Sequence, residues 1–235
     1  MNEACVQYIV SKVFGKESRT VESYGIKAKT YSPNKYPLLC NILSQMLLIS
    51  DEEKLVESTI YSNDDFIIDQ MEELGEANYA NIRNNLDEML YASEEIINSK
   101  AKIKLLRQED PEELKKIQEK EELICRTYMD CQMSIFTVYF NRLFKRINNT
   151  LDVKFYRARL NSFKNLLGYY TDESKEYLSD YYNEYFRNKA EELKEKEIEM
   201  KRKEAFALVT VSDNVIIQFF SRIKYTISRL LKREY

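Results

Sequence analysis

Residues 110–147 read DPEELKKIQEKEELICRTYMDCQMSIFTVYFNRLFKRI, and the fold turns on this stretch. Asp110 can cap a helix, Pro111 suits its first position, where a missing N–H costs nothing, and Glu112 and Glu113 face the positive end of the helix dipole. Downstream, Met129, Met133, Phe136, Phe140, Leu143 and Ile147 recur at alternating steps of four and three, and Ile124, Tyr128, Cys131, Ile135 and Val138 form a second stripe beside them. Two adjacent stripes predict one long helix, central to a bundle and buried across a broad face.

The flanking segments keep the helical period. Ile82, Leu86, Met89, Leu90 and Ile97 share one face of an earlier helix. Val153, Tyr156, Leu160, Phe163 and Leu167 do so after the central one, with Gly168 as a stop. Thr171 is placed to cap a further helix carrying Leu178, Tyr181, Tyr182, Tyr185 and Phe186. In 235 residues there are only 4 glycines and 3 prolines, too few to punctuate many strands. The expected fold is mainly α: a helical bundle domain followed by a small C-terminal unit of a β-hairpin plus a helix.

That C-terminal unit is expected because Phe206–Val211 and Val215–Phe220 are short, rich in β-branched and aromatic residues, and separated by Ser212-Asp213-Asn214. Ser221 can then cap a closing helix. Four regions follow: an N-terminal extension with short helices and loops over 1–79, the bundle over 80–188, a charged linker helix over 189–204 and the small unit over 205–235. Within the extension, Ser18–Pro37 reads as loop and Leu38–Ile49 as an apolar stretch. Lys189–Glu204 is nearly free of apolar residues and is expected to project into water or to link two units.

Composition excludes several chemistries. With no histidine, Ser-His and Cys-His nucleophile pairs and histidine-containing metal sites are out. Cys5, Cys40, Cys125 and Cys131 contain no C-x-x-C pair and read as buried, reduced thiols of an intracellular protein. Met1–Phe14 has the reverse of a signal peptide's charge order, so no secretion is expected. The longest apolar neutral run, Cys131–Asn141, spans 11 residues, short of the roughly 20 a membrane span needs. No membrane partner is expected. Charge is uneven: Asp51–Ser99 holds 14 acids against Lys54 and Arg83, whereas residues 100–235 carry a net charge of +6. Solvated helix faces account for this more simply than separate partners.

No phosphate-binding glycine loop is present. Asp64-Asp65-Phe66-Ile67-Ile68-Asp69 resembles the aspartate-rich magnesium motif of helical prenyl-transfer enzymes, but its spacing is one residue too long, and it reads better as a helix cap with solvated acids. Pairs such as Glu94 with Glu95 and Glu121 with Glu122 read as surface charge. No catalytic residue, cofactor or metal ligand is therefore assigned. Tyr177, Tyr181 and Tyr185 stand one turn apart, a pattern suited to an interface that keeps one end wet. Arg142, Lys145 and Arg146 sit where cations favour a helix C-terminus.

Three stretches, in order, carry a resemblance. Thr137-Val138-Tyr139-Phe140-Asn141-Arg142-Leu143-Phe144-Lys145-Arg146-Ile147 combines an aromatic, Arg-Leu, a basic residue and isoleucine. Tyr170-Thr171, Ser174, Glu176-Tyr177-Leu178 and Tyr181 form the start of a capped helix. Gln218-Phe219-Phe220-Ser221-Arg222, followed by Ile227 and Leu230-Leu231, leads a paired apolar segment into an arginine-bearing helix. Together they resemble subunits of the GINS complex of replication forks, of the type with the helical domain first and a small β domain last. Residues 1–79 have no counterpart, and either of the two subunits with this domain order fits.

The resemblance implies a non-catalytic structural subunit of a nuclear heterotetramer. Three related subunits and the MCM helicase assembly would be its partners, and any DNA contact would be indirect. It places a subunit interface at Phe136, Tyr139, Phe140, Arg142, Leu143, Arg146, Tyr177, Leu178, Tyr181 and Tyr185, and separate C-terminal docking at Phe219, Phe220, Arg222, Ile227 and Leu230. The competing expectations are a helical adaptor or tether outside replication, a magnesium-dependent synthase using Asp64, Asp65 and Asp69, and a nucleic-acid binder using the basic tail.

Overall fold

The Asp110 side chain accepts a hydrogen bond from the Glu112 N–H at 3.0 Å and starts the helix the sequence predicts. The computed structural model describes residues 2–14, 17–106, 110–171 and 176–231, with side chains over 4–14, 17–105, 110–171 and 179–208. Among the described residues the elements are α1 (Asn2–Val13), β1 (Arg19–Ser23), β2 (Ile26–Thr30), α2 (Pro37–Met46), α3 (Glu52–Tyr61), α4 (Asp65–Leu74), α5 (Glu76–Leu106), α6 (Pro111–Lys145), α7 (Thr150–Leu166), β3 (Tyr169–Tyr170) and α8 (Glu176–Leu231). The protein is mainly helical, with one small antiparallel sheet in the order β1-β2-β3.

α5 and α6 run antiparallel, tied by Lys120–Glu95, Lys100–Glu121 and Lys102–Glu113 ion pairs. Glu113, nearly covered, accepts hydrogen bonds from Lys102, from Ser99 at 2.7 Å and from Lys116 at 3.3 Å. These partners, Lys102 first, hold its carboxyl at about 2, below the ordinary 4.5. A folded value below the unfolded one means that this stabilisation is complete above the unfolded value and is lost as pH falls towards 2. Thermal unfolding of Glu113→Gln is therefore expected to vary less with pH than the wild type's between about pH 5 and 2; equal slopes would refute the tie.

α2 lies at the centre, with Leu38 to Met46 all buried. A helix apolar nearly all round belongs inside. Most of its polar groups are matched there, Gln45 Oε1 excepted. Asn41 Nδ2 donates to the carbonyls of Lys29 and Leu166, both at 2.8 Å, and Tyr128 Oη donates to Asn41 Oδ1 at 2.6 Å. Gln45 Nε2 donates to Asn41 Oδ1 and Gln132 Oε1, while Gln132 exchanges two hydrogen bonds with the backbone of Gly168. One buried polar network thus joins β2, α2, α6 and the α7–β3 turn.

Residues 1–79 are not an extension. A single apolar cluster runs from Ala4 through Leu39, Leu43, Leu55 and Phe66 to Phe136, Phe163 and Leu193, with no break at residue 79. Ser18–Pro37, read as loop, contains the β1–β2 hairpin, turning at Tyr24 and Gly25, both with positive φ as a type I′ turn requires. Ile26, Ala28 and Thr30 face inward and Lys27 and Lys29 outward, a two-residue alternation that the sequence displays.

The expected C-terminal hairpin is also replaced. Phe206–Val211 and Val215–Phe220 are helical backbone within α8, which runs unbroken for 56 residues. No glycine or proline lies between Glu176 and Leu231 to interrupt it, and the helix penalty of a β-branched residue is only tenths of a kcal/mol, about 0.5. The Thr171 N–H donates to the Gly25 carbonyl beside β3; its expected capping of the next helix involves residues 172–175, which lie outside the described residues.

Candidate functional site

The expected interface divides into an inner and an outer part. Phe136 and Phe140 are fully buried and Tyr139 is 5% exposed. The Phe136 ring lies 5.0 Å from Phe163, 4.6 Å from Tyr185 and 5.3 Å from Phe186, centroid to centroid. Phe136 and Phe140 face α7 and α8 of their own chain and the Tyr139 hydroxyl donates to the Leu48 carbonyl at 3.2 Å, so their assignment to a subunit contact is corrected. The stripe was legible; its partner was not. Leu143 is half-buried against the same core.

Arg142 donates to the carbonyls of Glu72 and Glu73 at the end of α4, and Arg146 Nη1 pairs with Glu73 at 2.8 Å. Both cations therefore close the C-terminus of a neighbouring helix, where its dipole is negative. Tyr181 remains 45% exposed. Tyr177, Leu178, Phe219, Phe220, Arg222, Ile227 and Leu230 have helical backbone in α8, but their side chains lie outside the described residues.

α8 itself is the element the sequence misjudged most. Tyr182, Phe186, Lys189, Leu193 and Met200 are all buried, and with Lys196 they continue the four-three alternation through the supposed linker. Lysine at two seam positions is tolerated because of what its head meets. Lys189 and Lys196 each place Nζ 4.5 Å from the Phe144 ring centroid. Lys196 also donates to the Phe144 carbonyl at 3.0 Å, at the end of α6. The aliphatic stems stay buried while the charge finds a π-face and a helix terminus. Glu197 bridges Lys201 and Arg157, whose hydrogen bonds hold its carboxyl at about 2.

The seat ends abruptly. After Met200, every residue from Lys201 to Leu208 is exposed, with Phe206 and Leu208 at 71% and 72%. The Thr150 N–H donates to Glu204 Oε1 at 3.1 Å and ties α8 to the start of α7. Beside it on α7, Leu151 and Phe155 are exposed as well. Beyond Glu204 the helical backbone of α8 continues to Leu231, about 40 Å at 1.5 Å per residue.

Groups that could have supported chemistry are engaged otherwise. Asp69 accepts from Ser50 at 2.6 Å and from Lys54 at 2.7 Å, which ties α3 to α4 and withdraws it from Asp64 and Asp65. No cluster of metal-binding side chains occurs among the described residues. All four cysteines are buried thiols outside any disulfide, and burial pushes those of Cys40 and Cys131 up to about 12. Burial likewise pushes the Tyr182 phenol up to about 12. No described helix is long and apolar enough to cross a membrane. No family model, curated protein or solved structure matches the chain.

Proposed function

We propose that this protein is a non-catalytic structural adaptor that holds another protein through the α8 arm, with the bundle as its anchor. The observation that carries this reading is a 56-residue helix in which Met200 is the last buried side chain among the described residues and Lys201 to Leu208, Phe206 and Leu208 included, are exposed. The sequence of the arm continues with Ile216, Phe220, Ile223, Ile227 and Leu230 at steps of four and three. A lone helix cannot bury such a stripe by itself, so the arm needs a partner surface.

A full-length tagged chain is expected to retain companions that a chain ending at Glu204 loses. Among the described side chains of α8 the last buried one is Met200, so the shortened body should unfold within about 2 °C of the full chain, a change of less than about 1 kcal/mol. Companions kept without the arm, or collapse of the shortened body, would refute the reading.

The narrower form is a nuclear GINS-like subunit that scaffolds the MCM helicase, with the arm given to sister subunits. The resemblance in Thr137–Ile147 supports it; the burial of that stretch in this chain's own core and the helical backbone at Gln218–Arg222 weigh against it. Co-expression with three such subunits should yield one stable complex. A monomer that ignores them would exclude this narrower form and leave the adaptor standing.

A further inference from the structure

α1 turns Ala4, Cys5, Tyr8 and Ser11 inward and leaves Val6, Val10, Val13 and Phe14 at 50%, 39%, 77% and 76% exposure. Those four outer residues share one helical face. α3 lies antiparallel beside it: Lys12 reaches Glu52 at the start of α3, while Cys5 and Val6 line a cleft of about 380 Å³ with Leu55, Ser58 and Thr59 farther along. At its far end Ile60 and Tyr61 are 63% and 74% exposed. Exposed apolar side chains thus stand on both helices, with a cleft of mixed polarity between them.

Its rim is acidic. Among the described residues, the cations Lys12 and Lys54 beside it are already matched, by Glu52 and Asp69. Glu53, Glu57, Asp64 and Asp65 have no ion pair with a described residue. The exposed apolar face of α1, beside a cleft that Asp64 lines and an α3 bearing Glu53 and Glu57, is complementary to a basic amphipathic helix.

The C-terminal part of α8 has such a sequence. Residues 205–231 hold Arg222, Lys224 and Arg229 against Asp213, together with the apolar steps from Ile216. We propose that the α8 arm of a second copy docks on the α1–α3 face, an inference that rests on the arm reading above. Each copy then offers one arm and one receptor, and the contact is head-to-tail.

Sedimentation velocity of the full chain tests this. The wild type is expected to sediment above its 28.1 kDa monomer. Val10→Asp in the receptor and Ile223→Asp in the arm should each weaken self-association at least tenfold. An equimolar mixture of the two should form a dimer, because one intact arm meets one intact receptor. Phe14→Ser provides a second receptor variant, and circular dichroism checks that all variants fold.

A wild type that stays monomeric overturns self-docking, while the truncation experiment judges the arm reading separately. Dissociation by Ile223→Asp but by neither receptor variant overturns the receptor and means arm-to-arm pairing. A mixture that stays monomeric overturns the head-to-tail contact.

Discussion

Phe136→Ala is expected to destabilise the isolated chain by about 3–5 kcal/mol, as removing a fully enclosed aromatic does elsewhere. The ring is wholly buried and touches Phe140, Phe163, Tyr185 and Phe186, which come from three helices. Its loss opens a cavity that none of those elements can fill without moving the others. For a chain of this size the shift in thermal midpoint is about 6–20 °C. Tyr181→Ala, on the exposed side of α8, should move stability by no more than about 0.5 kcal/mol. Urea and thermal unfolding of the purified chain distinguish the two. If Phe136→Ala left the lone chain unaffected and cost only binding to a partner, the interface expectation would return and the core described above would be wrong.

Gly168→Ala is the second large effect, about 3 kcal/mol or more. A methyl group at Gly168 would overlap the Tyr128 hydroxyl and press on its ring. Tyr128 cannot retreat, since it is fully buried and its Oη donates to Asn41. Both backbone groups of Gly168 are also held by Gln132, at 2.7 and 2.9 Å. Overpacking of about 1–3 kcal/mol adds to hydrogen bonds stretched in a place water cannot reach. Tyr128→Phe, which deletes only the hydroxyl, should cost about 1–2 kcal/mol. A Gly168→Ala protein as stable as the wild type would mean that the α7–β3 turn is loose rather than clamped.

Gly168 illustrates how a sequence signal can be right in position and wrong in cause. Its place after the apolar stripe of α7 suggested a helix stop. α7 does end just before it, but the glycine is required by the closeness of a tyrosine 40 residues upstream. The hairpin at Tyr24-Gly25 was legible in the alternation from Ile26 to Thr30, yet three polar residues in five hid it among loop signals. The run Lys189–Glu204 was misread because its seam contains lysines, and only the Phe144 ring and the α6 carbonyl make those positions habitable.

What the residues determined unaided is what short-range forces control. Asp110 and Pro111 start α6, Asn149 and Asp152 cap α7 reciprocally, and four-three spacing marks the buried side of each helix. Caps, dipoles and periodicity act within a turn or two, so they are present in any local window of the chain. Only the tertiary structure decided which surface covers each stripe. Apolar burial is non-directional, and the face of α6 would be equally satisfied by a sister chain or by α7 and α8. The folded chain supplies those helices itself, and among the described residues exposed apolar side chains remain on several helices, including Val13 and Phe14 at the end of α1, Ile60 and Tyr61 on α3 and Phe206 and Leu208 on α8.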